Sequence, residues 1–230
     1  MRIISISNQK GGVGKTTTTV NLAASLAVNK KKVLLIDLDP QGNATSGAGL
    51  NKAVLSSSIY DVLIEQKTIK DVVLHSEDGL FDVAPANQSL AGAEIELVDI
   101  KNREFILKKA IETLALNYDF ILIDCPPALN LLTVNALVAS NSVLIPMQCE
   151  YYALEGLSDL VNTIRRVKKN LNPEIEIEGL LRTLFDKRNT LTKQVSDQLS
   201  SHFGPKVYET IIPRNVRLAE APSHGKSVIS

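Results

Sequence analysis

The sequence is poor in the side chains that build aromatic stacking surfaces, disulfide frameworks and zinc sites. It has no tryptophan and only five tyrosines and five phenylalanines in 230 residues, which argues against a stacking surface for single-stranded nucleic acid. Its two cysteines, Cys125 and Cys149, are too few for a disulfide framework, and we expect them to be reduced, structural thiols. The histidines are scattered without the spacing of a zinc site; they are His75, His202 and His224.

The sequence also has no apolar run that approaches the roughly 18 residues of a membrane span. Met1 leads directly into a predicted strand, which leaves no room for a signal peptide. We therefore expect a cytoplasmic protein. A length of 230 residues with 44% hydrophobic residues is ordinary for a globular protein, and we expect a single domain over residues 1–230.

The net charge is zero, but the charges are unevenly distributed along the chain. Residues 1–160 contain 13 Lys and Arg against 18 Asp and Glu, whereas residues 161–230 contain 12 against 7. The last third of the chain is therefore basic. Such a surface fits a polyanionic partner, although it is also typical of an ordinary solvated face.

Apolar runs that are typical of buried strands alternate with segments of helical periodicity. The runs VLLID at 33–37 and FILID at 120–124 indicate parallel strands covered on both faces. This alternation predicts an α/β fold with a doubly wound, mostly parallel sheet flanked by helices. We expect residues 42–58 to form a mobile loop, Ser58 to cap a helix through residue 66, and residues 103–116 to form an amphipathic helix.

A glycine-rich string, Lys10-Gly11-Gly12-Val13-Gly14-Lys15-Thr16-Thr17, separates the first predicted strand from the first predicted helix. In this setting small glycines let backbone N–H groups surround phosphate oxygens, and the start of the helix adds partial positive charge. Lys15 would reach the terminal phosphates of a nucleotide, and Thr16 would offer its hydroxyl to Mg²⁺. Gln9 stands where a glycine is usual, and Lys10 is an additional lysine. The alternative is a glycine-rich turn with two surface lysines.

Three carboxylates follow two of the predicted buried strands. Asp124 ends one of them and is the expected Walker B carboxylate, which completes a magnesium site through water. Asp37 ends the other and is expected near the metal, while Asp39 would orient the attacking water in nucleotide hydrolysis. The carboxyl edge of the sheet, where these residues lie, is where α/β proteins bind ligands. Asp37 and Asp39 could instead stabilise the turn that follows the strand.

Four segments together resemble the deviant Walker ATPases of the ParA/Soj type, which segregate chromosomes and plasmids in bacteria. They are the string at 10–17, DLDPQGN at 37–43, IDCPP at 123–127 and IIPRNVRLAEAPSHGK at 211–226. The resemblance extends over essentially the whole chain. It implies a P-loop ATPase fold that binds ATP or ADP with Mg²⁺, hydrolyses ATP weakly, and holds the adenine beside Pro213 and Asn215.

The additional lysine has a specific meaning in this family. The residue that matches Lys10 reaches the nucleotide of a partner subunit, so the resemblance implies a homodimer with ATP between two copies of the chain. Such a lysine would offset charge on the β- and γ-phosphate oxygens, and Gly11 beside it would have to stay small. Lys10, Lys15 and Asp39 are then the expected catalytic residues, and the glycine-rich string is the phosphate site.

The resemblance further implies that the ATP-bound dimer binds double-stranded DNA without sequence preference. The matching basic residues are Arg188, Arg217 and Arg214, with Lys187 and Lys193 as further candidates. The basic last third of the chain agrees with this implication. The resemblance also implies a ParB/Spo0J-like centromere-binding partner that stimulates hydrolysis, and a location on the nucleoid with no membrane attachment.

Other functions remain open from the sequence. A MinD-like ATPase that positions the division site would need an amphipathic C-terminal helix, and none precedes Ser230. ParA-type chains usually carry one more helix after the segment that matches residues 223–226, so we expect this sequence to lack it. A metabolic P-loop ligase would need a second substrate pocket, for which the sequence suggests no residues. The cysteines do not have the spacing of the iron–sulfur cluster in the related nitrogenase iron protein.

Overall fold

The computed structural model describes residues 1–114, 117–151 and 153–229, and its strands form one sheet. The strands are β1 (Arg2–Ile6), β2 (Val33–Asp37), β3 (Leu74–Ser76), β4 (Phe81–Ala84), β5 (Phe120–Asp124), β6 (Ser142–Gln148), β7 (Glu176–Phe185) and β8 (Val207–Pro213). Their order across the sheet is β3-β4-β2-β5-β1-β6-β7-β8. All neighbouring strands are parallel except β3 and β4. The predicted mostly parallel sheet is therefore confirmed.

Helices cover both faces of this sheet. Within the described residues they are α1 (Lys15–Val28), α2 (Asn43–Gly47), α3 (Ile59–Leu63), α4 (Ile69–Val72), α5 (Leu90–Glu96), α6 (Ile106–Glu112), α7 (Leu131–Ala139), α8 (Ala153–Asn170), α9 (Thr190–Phe203) and α10 (Val216–Glu220). One face of the central strands packs against α1 and the other against α3 to α7, while α8 and α9 cover β6 and β7. Among the described helices, none has the combination of length and apolar sequence that crossing a membrane requires.

Strand β2 shows why its sequence is continuously apolar. All five of its residues are buried. Leu34 and Ile36 lie in the core shared with α3 to α7, whereas Val33 and Leu35 lie in the core shared with α1. Because a parallel strand in the middle of such a sheet is covered on both faces, alternation with polar residues is lost.

The prediction of a mobile loop over residues 42–58 is wrong in its first part. α2 lies within it, a 3₁₀ turn follows at Lys52–Val54, and Ala44 and Thr45 are fully buried. The backbone N–H and the hydroxyl of Thr45 both donate to Asp37 Oδ2 at 2.8 Å. This pair of hydrogen bonds fixes the start of α2 directly after the turn.

Two predicted helices are shorter than expected. Ser58 caps α3 as predicted, with a capping box completed by Asp61. However, α3 ends at Leu63, and Glu65 has a left-handed backbone with φ of 58°, which interrupts the helix. The predicted helix over residues 103–116 begins with a 3₁₀ turn at Arg103–Phe105 before α6; residues 115 and 116 lie outside the described part of the chain.

Candidate functional site

The glycine-rich string forms the loop between β1 and α1. Gly12 and Gly14 have left-handed backbones, with φ of 73° and 84°, a conformation that glycine adopts without steric cost. α1 begins at Lys15, and no side chain caps its first turn. The N–H groups at this helix start are therefore available to an anion, and they carry the positive end of the helix dipole.

Asp124, at the end of β5, is fully buried beside two threonines of α1. Thr16 Oγ1 donates to Asp124 Oδ2 at 2.7 Å, and Thr19 Oγ1 lies 2.9 Å from Asp124 Oδ1. Asp37 is in register with Asp124 on the neighbouring strand and is also fully buried. Burial raises the pKa of both carboxyl groups, and the charge of Asp37 raises the pKa of Asp124 further. A cation placed here would compensate two buried carboxylates, and these oxygen donors suit Mg²⁺.

Asp37 and Asp39 have different surroundings. Besides its two hydrogen bonds from Thr45, Asp37 accepts one from the backbone N–H of Asp39 at 3.1 Å. Asp37 therefore stabilises the turn after β2, which is the structural role that the sequence left open. Asp39 accepts from the N–H of Gln41 at 2.9 Å. Asp39 also lines the cavity that lies between the glycine-rich loop and the C-terminal part of the chain, and it is the one carboxylate among the described residues that line this cavity.

The two lysines of the loop also differ. Lys15 is 7% exposed, and its Nζ donates to the carbonyl of Lys10 at 3.2 Å. Burial lowers the pKa of Lys15, an effect that neighbouring carboxylates oppose. Lys10 Nζ instead lies 2.5 Å from Glu150 Oε2, in a partly exposed ion pair after β6. The side chain of Asn8 connects the backbone of Lys10 to β6, because it accepts a hydrogen bond from the Lys10 N–H at 3.0 Å and donates one to the Pro146 carbonyl at 2.8 Å.

A cavity of about 990 Å³ lies between this loop and the C-terminal part of the chain. Pro213 and Asn215 line it opposite the loop, and Asn215 caps α10 by accepting from the N–H of Arg217 at 2.8 Å. The structure thus brings the glycine-rich loop and the segment expected beside the adenine to one cavity. The loop residues that line it are Gly11, Gly12, Gly14, Lys15, Thr16 and Thr17.

The arginines expected to contact DNA lie near the carboxyl ends of β7 and β8. Arg188 is exposed, and its guanidinium forms two hydrogen bonds of 3.0 Å with Asp186, whose pKa it lowers to about 2. The backbone N–H of Arg214 donates to the carbonyl of Phe185 at 3.3 Å. The remaining candidates are also exposed; they are Arg217, Lys187 and Lys193.

Sequence reasoning missed two threonines of the site. Thr19 lies three residues after Thr16 in α1, and that helical spacing could have revealed it. Thr183, at the end of β7, donates through Oγ1 to the carbonyl of Val13 at 2.7 Å. Val13 itself is buried within the loop. No local pattern marks Thr183, because its partner is 170 residues away in sequence.

Both cysteines are buried and reduced. Burial raises the pKa of Cys149 to about 11 and also raises that of Cys125, so both thiols stay protonated and unreactive at neutral pH. In the described ranges, no three His, Cys, Asp or Glu side chains are grouped to hold a metal ion. A magnesium site at Thr16 and Asp124 would therefore depend on water and phosphate oxygens for its other ligands.

Comparison with known proteins identifies the family. A family model described as an AAA domain matches residues 1–177. The sporulation initiation inhibitor protein Soj of Bacillus subtilis is 58% identical over 228 residues, which cover 99% of this chain and 90% of Soj. The chromosome partitioning protein ParA of Myxococcus xanthus is 54% identical over 228 residues, which cover 99% of this chain and 81% of that ParA. This chain belongs to the ParA/Soj family of chromosome partitioning ATPases.

A solved structure of similar fold carries a different name. The cobyrinic acid a,c-diamide synthase of Mycobacterium smegmatis, solved with a bound ATP analogue and magnesium, has a TM-score of 0.89 at 35% identity. The match covers 98% of this ParA/Soj-family chain and 93% of the other. The P-loop ATPase fold expected from the sequence is confirmed, while the higher identity to Soj and ParA sets the family.

Proposed function

We propose that this ParA/Soj-family ATPase is an ATP-dependent switch for DNA segregation. ATP with Mg²⁺ promotes a homodimer that binds duplex DNA without sequence preference, and weak hydrolysis, stimulated by a ParB/Spo0J-like partner, releases it. The observation that carries the proposal is the separation of the two loop lysines. Lys15 lines the cavity, whereas Lys10 pairs with Glu150 at the protein surface. Lys10 is therefore positioned to serve a nucleotide other than the one bound by its own loop.

ATP or ADP would occupy the cavity with its phosphates at the loop and its base beside Pro213 and Asn215. The N–H groups at the start of α1 and the buried ammonium of Lys15 would bind the phosphates. The Thr16 hydroxyl and Asp124 would hold Mg²⁺, which when bound neutralises charge on the β- and γ-phosphates. Asp37 would act through its charge, because its oxygens already accept three hydrogen bonds.

Hydrolysis needs a water molecule aligned with the terminal phosphate. Asp39 lines the cavity, and the hydrogen bond from the Gln41 N–H fixes the direction of its carboxylate. Asp39 would therefore orient this water. While Lys10 stays paired with Glu150, the site lacks the second cation that would offset transition-state charge. The basal activity of the monomer would therefore be weak.

The dimer would be isologous, since each copy donates one Lys10 and receives one. Lys10 must exchange its pairing with Glu150 for the partner's phosphates. The Lys10 and Glu150 side chains are 39% and 48% exposed, and ion pairs with this exposure contribute only about 0.2–1 kcal/mol. The exchange is therefore energetically accessible once the partner binds ATP.

The DNA surface would be formed by Arg188, Arg214 and Arg217, which are exposed near one edge of the sheet. Arginines at such a surface bind backbone phosphates and release counterions. Dimerisation doubles the number of these contacts within one particle, so it raises affinity for DNA without a new contact type. The protein would accordingly act in the cytoplasm, on the nucleoid.

The test is binding of a labelled random duplex with ATP and with ADP, at about 50 mM and about 300 mM salt. We expect binding with ATP only, and a steep loss of affinity at the higher salt. Arg188→Ala should weaken binding, whereas Arg166→Ala, an exposed arginine on α8, serves as the matched control. Equal affinity at both salt concentrations, or equal effects of the two variants, would refute binding through this surface.

The same samples distinguish the alternatives. ATP-dependent sedimentation with anionic liposomes, without DNA binding, would favour a MinD-like role at the membrane. An ATPase rate that neither DNA nor a ParB-like protein changes would instead favour a metabolic enzyme, as in the synthase of similar fold.

A further inference from the structure

Thr183 connects the end of β7 to the phosphate-binding loop. It is 3% exposed, and its hydroxyl donates to the carbonyl of Val13, which lies between two left-handed glycines. The Cβ of Thr183 lies 3.9 Å from the position that a Cβ on residue 14 would occupy, so Thr183 also packs beside Gly14. Because a β-branched side chain has few rotamers, the loop backbone and the end of β7 are mechanically joined here.

Leu184, the next residue, has an unusual backbone. Its φ is 50°, a conformation that is strained for a bulky side chain. The other non-glycine residues with positive φ in the described chain lie in turns, whereas Leu184 lies inside a strand; the others are Lys30, Glu65, Leu80 and Asn102.

The pairing of β7 with β8 shows the consequence of this strain. Arg182 pairs with Ile211 and Phe185 pairs with Pro213, so β7 carries one extra residue between Arg182 and Phe185, the interval that contains Leu184. An extra residue of this kind is a β-bulge, which redirects the strand and is common beside functional sites. Leu184 also lines the cavity, next to Thr183.

The arginine surface begins directly after this bulge. The Phe185 carbonyl accepts from the N–H of Arg214, and Asp186 holds the guanidinium of Arg188 with two hydrogen bonds of 3.0 Å. Arg188 is therefore only five positions after Thr183, whose hydroxyl makes the hydrogen bond to the phosphate loop. Both segments that carry the arginines are attached to the same strand end.

We infer that Thr183 and Leu184 form a positioning element through which the occupancy of the phosphate loop sets the position of Arg188 and Arg214. Phosphate binding adjusts the backbone at Val13, Thr183 follows through its hydrogen bond, and the strained bulge at Leu184 turns this shift into a movement of the arginine segment. The inference rests on the proposed function only in assigning these arginines to DNA.

The test compares Thr183→Val, which removes the donor at nearly constant volume, with Thr183→Ser, which retains it. Amide hydrogen exchange of residues 185–190 is measured without nucleotide and with a non-hydrolysable ATP analogue and Mg²⁺ at concentrations that saturate each variant. The wild-type and serine proteins should show slower exchange with the analogue, and the valine variant should lose this change. In parallel, the ratio of DNA affinities with ATP and ADP should fall by about fivefold or more in the valine variant.

Leu184→Gly is an independent second variant, because glycine adopts positive φ without strain; it should also lose the nucleotide-dependent change in exchange. Retention of that change in the valine or glycine variant overturns the inference, as does its loss in the serine variant or its absence from the wild type. If exchange responds as expected but no protein binds DNA, the linkage stands and the DNA-binding function fails.

Discussion

The two sides of the central cavity are built in different ways. The phosphate side is formed by the ends of β1, β2 and β5 in the middle of the sheet. Its buried Asp37 and Asp124 accept hydrogen bonds from the buried Thr45 and Thr19 and from the half-buried Thr16. The base side is formed by edge strand β8 and by α10, which has no buried residue. β8 pairs with β7 through two shifts of register. We infer that the phosphate side is rigid before a nucleotide binds, whereas the base side adjusts around it.

The largest effect should come from Lys15→Ala on the phosphate side. Removing this buried cation should weaken Mg-ATP binding by about 100-fold, because a desolvated charge contact of this kind contributes roughly 3 kcal/mol. Pro213→Ala on the base side should cost less than about tenfold, since it removes apolar contact only. Isothermal titration calorimetry measures both. Equal losses would contradict the contrast between the two sides.

A stability comparison should show the same contrast. A Cβ at Gly42 would lie 2.7 Å from the Ala86 carbonyl oxygen, and Gly42 has φ of 61°. Gly42→Ala should therefore lower the free energy of unfolding by about 2 kcal/mol. Val216→Ala on α10, where the side chain is 69% exposed, should change it by no more than about 0.5 kcal/mol. Urea unfolding followed by circular dichroism provides both values, and a larger cost at Val216 would be the contrary result.

The smallest effect is expected at Asn215, which caps α10 and lines the cavity. Asn215→Ala removes a helix cap worth about 1 kcal/mol, so Mg-ATP affinity should fall by about fivefold as α10 frays. Asn189 caps α9 in the same way, by accepting from a backbone N–H. Asn189→Ala is therefore the matched control and should leave nucleotide affinity unchanged. A similar loss in both variants would show that the effect is a general loss of stability.

The central strands and the phosphate loop could be predicted from the sequence because their signals are local. A continuous apolar run that ends in an aspartate marks β2 and β5, and a glycine-rich string marks the turn into α1. These signals also correctly predicted that the carboxylates and the loop meet at one edge of the sheet.

The remaining features depend on contacts that no simple sequence pattern reveals. α2 forms because Thr45 donates a hydrogen bond to Asp37. The glycine-rich loop is fixed by Thr183, which lies 170 residues after its partner Val13. α5 and α7 went unpredicted because short or fully covered helices show little amphipathic periodicity. On the base side the apolar pattern indicated a strand over residues 207–212, but only the family resemblance indicated that Pro213 and Asn215 lie beside the adenine. Their roles, and those of the basic residues, stay predictions.

The central claim is that ATP is held between two copies of the chain. Asp39→Ala should isolate this state, because Asp39 is the residue proposed to orient the attacking water. The control is the double variant with both Asp39→Ala and Lys10→Ala. It should remain monomeric with ATP, because it lacks the lysine that each subunit would donate to its partner. The measurement is the molar mass of Asp39→Ala by light scattering after gel filtration, with ATP and with ADP. We expect twice the 25.0 kDa of the single chain with ATP and the single chain with ADP. A monomer in both nucleotides, or a dimer that survives Lys10→Ala unchanged, would contradict it.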